Sequence, residues 1–82
     1  MIPKISHIEP LPDYMLFVTF DDGKQVIYDV KEDMRRLPFY RLLKKEAGLF
    51  QEVQLSQSRT CVFWTEDIDL PSDAIYKYGQ PV

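Results

Sequence analysis

The first third of the chain alternates in ways that predict three β-strands. Residues Ile5–Leu11 predict a first strand, and the prolines near its end place it at a sheet edge. Residues Tyr14–Phe20 carry apolar side chains on both faces, which predicts a central strand covered on both sides. The Asp-Gly pair at positions 22–23 then predicts a tight primed hairpin turn into a third strand, Lys24–Val30.

The middle of the chain changes to a helical period. Residues 31–37 predict a helical turn or a loop, and Pro38 suits the first turn of a following helix, which Gly48 would end. We therefore expect a short amphipathic helix that packs on a sheet. Four apolar residues at helical spacing form its predicted buried face: Phe39, Leu42, Leu43 and Ala47.

The last third returns to strands and ends in a helical turn. Residues Phe50–Leu55 and Thr60–Trp64 predict a second hairpin, joined by the turn-like residues 56–59. Ser72 predicts the N-cap of a final helical turn that Gly79 closes. The order β-β-β-α-β-β-α predicts one α+β domain over residues 1–82, a small and mainly antiparallel β-sheet with two short helices.

Cysteine content and terminal sequence bear on the compartment. Cys61 is the only cysteine, so no disulfide can form within the chain, which favours a reducing cytoplasm for so small a domain. The first residues lack the basic-then-apolar layout of a signal peptide. The longest apolar run, Tyr14–Val18, is too short to cross a bilayer, and we expect a cytoplasmic protein without membrane association.

Candidate catalytic groups are few. His7 is the only histidine and shares a strand face with Glu9, but no nucleophile motif accompanies it. Cys61 is interpreted as a small buried hydrophobic residue, although Arg59 shares its face. The three glycines lie far apart and form no phosphate loop. The acidic residues near position 67 lack calcium-loop spacing and are typical of turns and caps. We predict no enzyme, no metal and no cofactor.

Charge is unevenly distributed, although the net charge is only −3. Residues 31–46 carry six basic and three acidic groups, whereas residues 1–30 carry two basic and five acidic groups. The basic residues form a candidate partner-binding set: Arg35, Arg36, Arg41, Lys44 and Lys45. One interpretation is a solvated helix face, and another is a surface that meets an acidic patch on a partner or on a second copy. A pI near 5.0 argues against nucleic acid as the partner.

Aromatic residues make up 13% of the chain, and six of the eleven are candidates for the core. The two-sided apolar strands leave two alternatives open. A second copy of the chain could cover one sheet face, or the helices and the N-terminal arm could do so. The aromatic core candidates are Phe17, Phe20, Phe39, Phe50, Phe63 and Trp64.

Short motifs follow one another along nearly the whole chain: Pro3-Lys4-Ile5, Pro10 to Leu16, Phe20 to Gly23, Tyr28-Asp29-Val30, Phe50 with Val53, Trp64, Ile68-Asp69-Leu70 and Ile75-Tyr76. The order of these motifs resembles the bacterial domain of unknown function 2442 family. The sequence departs from the family at one turn, where Glu66-Asp67 replaces a typical glycine or asparagine.

The resemblance implies a small α+β domain with an antiparallel sheet and no catalytic residues to carry over. Some relatives are fused to a helix-turn-helix, and others are encoded beside another small protein in the manner of toxin–antitoxin pairs. Our leading hypothesis is therefore a small non-enzymatic protein-interaction module, the antitoxin-like or regulatory member of a two-protein system. The alternative is a nucleic-acid-associated regulator that uses the basic helix as a dimer.

Overall fold

The computed structural model describes residues 2–82, and the α+β class predicted from the sequence is confirmed there. The strands are more numerous and the helices shorter than predicted. The elements in chain order are β1 (Ile5–Leu11), β2 (Met15–Phe20), β3 (Gln25–Asp29), α1 (Lys31–Arg36), a 3₁₀ turn (Pro38–Arg41), α2 (Leu42–Lys45), a second 3₁₀ turn (Phe50–Glu52), β4 (Gln54–Leu55), β5 (Cys61–Thr65), β6 (Ile68–Pro71), α3 (Ser72–Tyr78) and β7 (Gln80–Pro81).

The strands form two antiparallel sheets rather than one. The first has the order β1-β2-β3-β7 and the second the order β4-β5-β6. The sheets meet where the turn before β5 approaches the start of β1, and the Ile5 amide donates to the Arg59 carbonyl over 2.8 Å. The Arg59 guanidinium also donates to both carboxylate oxygens of Asp21, at 2.8 and 2.9 Å. These contacts connect the first hairpin to the second.

The hairpin predicted at Asp-Gly is confirmed between β2 and β3. Its turn differs from the primed type, because Gly23 alone among residues 21–23 has a positive φ, of 92°. The Phe20 amide donates to the Lys24 carbonyl across the loop. This is the three-residue loop class, in which one left-handed residue closes the hairpin.

The second strand begins at Met15, one residue later than predicted. Asp13 and Tyr14 have positive φ values of 65° and 58°, so Tyr14 lies in the turn and not in the strand. The Tyr14 carbonyl accepts the Val30 amide, and its ring packs edge-on against Phe50 at 5.3 Å between centroids. These contacts hold a backbone conformation that is uncommon for a bulky residue.

One hydrophobic cluster joins the two sheets. All 16 buried hydrophobic residues of the region 2–82 belong to it, with side chains from both sheets and from the segments between them. β2 is the central strand predicted, since it pairs with β1 and β3. Leu16 and Val18 are buried on its inner face, whereas Met15, Phe17 and Thr19 on its outer face are only half-buried. The prediction that both faces are covered therefore holds for the inner face alone.

The second hairpin is confirmed, although its first strand is much shorter than predicted. Residues Phe50–Glu52 form a 3₁₀ turn, and only Gln54–Leu55 pair with β5. The turn is fixed at its start, because the Phe50 carbonyl accepts the Trp64 indole N–H over 3.0 Å. The Phe50 and Trp64 rings stack at 5.7 Å between centroids. The buried contact between Phe50 and Trp64 therefore decides the local structure, although residues 50–55 alternate as in a strand.

The start of α3 also differs from the prediction. Ser72 is not the N-cap, because it is the first residue of the helix and Pro71 precedes it. The Ser72 side chain is buried, and its hydroxyl donates to the Pro3 carbonyl over 2.6 Å. Ser72 therefore connects α3 to the N-terminal arm. The residues before it pair with β5 as the unpredicted strand β6.

Gly79 follows α3 as predicted, and close contacts require a glycine at this position. Its φ is −67°, a value open to any residue, but a Cβ atom there would lie 2.7 Å from the Ile75 carbonyl oxygen and 2.7 Å from Val26 Cγ2. We predict that Gly79→Ala lowers the free energy of unfolding by about 1–3 kcal/mol, because α3 and β3 must separate. Urea unfolding measures this loss.

Gln80→Ala is the matched control, since Gln80 is the exposed neighbour of Gly79 on β7. We expect this variant to stay within about 0.5 kcal/mol of the wild type. Equal stabilities of the two variants would contradict the packing described for Gly79.

Candidate functional site

The segment from Pro38 to Lys45 has three faces set by its 3₁₀ start. A 3₁₀ turn has three residues per turn, so residues three apart lie above one another. The row Tyr40–Leu43 is buried, and the Tyr40 hydroxyl donates to the Asp69 carbonyl on β6. The Tyr40 ring also packs edge-on against Trp64 at 6.2 Å between centroids. Tyr40 and Leu43 therefore anchor the segment to the core.

The predicted buried face of this segment is wrong in three of its four residues. Phe39, Leu42 and Ala47 are exposed, and only Leu43 is buried. The α-helical spacing used for the prediction does not apply across residues 38–41, where the tighter 3₁₀ turn directs Tyr40 inward. Phe39, which was a core candidate because it is aromatic, is therefore exposed.

The structure brings four of the five predicted basic residues around one groove. Its volume is about 850 Å³, and it lies between α1, α2 and the β1–β2 turn. We call it the basic groove. Its lining contains one carboxylate among five cationic side chains. The lining residues are Asp13, Tyr14, Lys31, Met34, Arg35, Arg41, Lys44 and Lys45.

Two of the five cations have partners inside the protein. The Lys31 ammonium lies 3.0 Å from Asp13 Oδ2 and 3.1 Å from Asp29 Oδ1. The hydrogen bond to Asp13 is the main reason why the pKa of Lys31 is raised. Arg35 pairs with Glu32 one turn earlier on α1. These two cations contribute fixed positive charge to the wall of the groove.

The other three cations of the groove have no such partners. Arg41, Lys44 and Lys45 form no ion pair and no side-chain hydrogen bond with any residue in the described range 2–82. All three side chains are exposed. Their donors are therefore available to an external carboxylate or phosphate.

Arg36 lies apart from the basic groove. Its guanidinium donates to Asp33 Oδ1 over 3.2 Å, and Asp33 is buried with its second oxygen accepting the Tyr28 hydroxyl over 2.7 Å. Arg36 lines a different groove, together with Met15 and Ile27 on the outer face of the first sheet. Arg36 thus neutralises the buried carboxylate of Asp33 on α1, the helix that follows β3.

An exposed apolar ridge adjoins the basic groove, and sequence reasoning missed it. Phe39 is 67% exposed and Leu42 37%, and both stand on one row of the segment. Leu37, at 41% exposure, precedes them. We call these three residues the apolar ridge. The spacing of Tyr40 and Leu43, read as a 3₁₀ row, is the signal in the sequence that could have revealed it.

An acidic groove lies at the loop between β2 and β3. Its lining includes Asp21, Asp22 and Asp73, beside Ile2 and Tyr76. Two of the carboxylates are engaged within the chain, because Arg59 binds Asp21 and the Tyr76 hydroxyl donates to Asp22 over 2.7 Å. The Tyr76 hydrogen bond is the main cause of a lowered pKa at Asp22.

The candidate catalytic residues lie in different sheets. His7 is exposed on β1, with Nε2 4.0 Å from Glu9 Oε1. Cys61 is half-buried on β5, where burial raises the pKa of its thiol. Across residues 2–82, no three His, Cys, Asp or Glu side chains are grouped as a metal site. Over the same range, no helix is long and apolar enough to cross a membrane.

The fold and these surfaces define a small α+β domain with two antiparallel sheets and a basic groove on the crossover between them. The chain belongs to the family described as protein of unknown function (DUF2442), whose profile matches residues 5–81. This confirms the resemblance predicted from the motif order. Neither the comparison with curated proteins nor that with solved structures gives a match.

The buried Tyr28–Asp33 pair yields a prediction about stability. We expect Tyr28→Phe to lower the free energy of unfolding by about 1–3 kcal/mol, because buried Asp33 then keeps Arg36 as its only side-chain partner. Burial, reinforced by Asp33, raises the pKa of Tyr28 above its ordinary value of 10. The contribution of the Tyr28 hydroxyl to the free energy of unfolding is therefore complete below pH 10 and is lost as the pH rises above 10.

Urea unfolding at pH 7 to 11 tests this prediction, and the wild type should lose more stability above pH 10 than Tyr28→Phe does. Tyr78→Phe is the matched control, because Tyr78 is 66% exposed. We expect it to stay within about 0.5 kcal/mol of the wild type at pH 7. A Tyr28→Phe variant as stable as this control would refute the role of the pair.

Proposed function

We propose that this protein is a small non-enzymatic, cytoplasmic module that binds another protein through the basic groove and the apolar ridge. The biological setting we propose is a two-protein system in which it is the antitoxin-like or regulatory member. One observation carries the proposal. Three cations without internal partners stand beside an exposed phenylalanine, on a segment that Tyr40 and Leu43 fix to the core.

The composition of this surface supports a protein partner. Aromatic residues and arginine are enriched in protein–protein interfaces, and such residues account for much of the binding energy. Phe39 and Arg41 stand on adjacent rows of one anchored turn. Little conformational entropy is then lost on binding, because the backbone that carries both residues is already held.

The charge pattern of the basic groove favours a protein as the binding partner over a nucleic acid. The basic groove contains Asp13, and Glu32 pairs with Arg35 at its wall. These carboxylates offset two of the five cations of the groove, and the net charge of the chain is −3, so the positive charge is small for a long phosphate backbone. The apolar ridge would also remain in water beside a phosphate backbone. These features favour the interaction module over the nucleic-acid alternative.

Charge reversal tests the proposal. We expect the double variant Arg41→Glu with Lys44→Glu to reduce the affinity for the partner at least tenfold, because two unpaired donors become repelling carboxylates. Both residues are exposed, so the fold should be retained. The measurement is affinity capture from the cell lysate, followed by titration of the recovered protein against the wild type and the variant.

The matched control changes the same charge elsewhere. Lys4→Glu with Lys77→Glu alters two exposed lysines outside the basic groove and should leave the affinity unchanged. Equal affinity of both double variants would refute the role of the groove. Recovery of nuclease-sensitive nucleic acid in place of a protein, with steep salt dependence, would support the nucleic-acid alternative instead.

A further inference from the structure

We infer that the occupant of the basic groove is an acidic segment of a different protein that places an apolar side chain on the ridge. This inference rests on the proposed function and specifies the chemistry of the partner. It follows from the charge of the groove, from the position of the ridge beside it, and from the state of the carboxylates on this chain.

The charge of the groove selects carboxylates on the partner. Arg41 and Lys44 stand three positions apart on one row, with Lys45 next to them. Side chains at such spacing lie about 5–6 Å apart between Cβ atoms. Acidic residues three or four positions apart on a partner helix match this spacing. An arginine binds a carboxylate through two hydrogen bonds when both groups are accessible, as Arg41 is.

The apolar ridge adds a second requirement, an apolar side chain on the partner segment. Phe39 and Leu42 form the row next to Arg41 and Lys44 but lie outside the lining of the groove, so a segment must extend past Arg41 to contact the ridge. A purely polar anionic segment would leave Phe39 in water. Burial of an aromatic side chain at an interface contributes strongly to affinity. The partner segment therefore needs an aliphatic or aromatic residue beside its carboxylates.

A second copy of this chain does not supply such a segment. The acidic groove contains exposed Ile2, but Asp21 and Asp22 already bind Arg59 and Tyr76. The other exposed acidic pair, Glu66-Asp67, lies on the β5–β6 turn. None of the large exposed apolar side chains of residues 2–82 lies on β5 or β6. Within residues 2–82, Asp73 is thus the one carboxylate of the acidic groove that has no side-chain partner and stands beside an exposed apolar side chain, whereas Arg41 and Lys44 match a pair of carboxylates.

The experiment combines a ridge variant with competitor peptides. The captured partner is titrated against the wild type, Phe39→Ala and the control Tyr78→Ala, whose side chain is equally exposed. We expect Phe39→Ala to weaken binding about tenfold and Tyr78→Ala to leave it unchanged. A synthetic helical peptide with glutamate on one row and leucine on the next should displace the partner. The same peptide with serine for leucine, or with lysine for glutamate, should not.

The outcomes separate this inference from the proposed function. Loss of binding on reversal of Arg41 and Lys44, but not in Phe39→Ala, would overturn the role of the ridge and leave the interaction module standing. Unchanged binding in both variants would overturn both proposals. Displacement by the serine peptide, by DNA or by phosphatidylserine vesicles but not by the leucine peptide would overturn the inference. So would a dimer of this chain that disappears on charge reversal.

Discussion

The structure depends on a hydrophobic core that two small sheets must share. A sheet of three or four short strands cannot bury enough apolar surface by itself. Here the inner faces of both sheets supply one cluster of buried side chains, with Leu16 and Val18 from the first and Val62 and Trp64 from the second. The Phe50 carbonyl accepts the Trp64 indole N–H, so the largest side chain of this core is also satisfied as a donor. The Arg59–Asp21 contacts then fix the margin where the two sheets meet.

The candidate site follows from the same constraint. The chain must cross from the first sheet to the second between β3 and β4, and residues 31–52 form that crossing. The crossing contributes few side chains to the core, mainly Met34, Tyr40, Leu43 and Phe50. The remaining side chains face outward on a backbone that these anchors hold. The crossing therefore presents cations and apolar groups together, whereas the strands keep most of their apolar residues inside.

Much of the fold could be predicted from local patterns, because strand alternation and turn residues act over short distances. The Asp-Gly hairpin, the central second strand and the second hairpin are examples, and the basic set was identified from its clustering between residues 31 and 46. The errors arise where a distant contact decides. Phe39 faces outward because a 3₁₀ turn directs Tyr40 toward β6, and Ser72 is buried because its hydroxyl reaches Pro3. Neither partner is close in sequence, so no periodicity could indicate them.

The most direct test of the proposed binding surface is a map of partner contacts on the folded protein. Backbone amide chemical shifts of the isotope-labelled chain, recorded with and without the captured partner, locate the contact surface residue by residue. If the basic groove and the apolar ridge bind the partner, the largest changes fall between residues 37 and 45 and around Asp13 and Lys31. Changes centred instead on Met15, Phe17 and Ile27, the half-buried outer face of the first sheet, would contradict it.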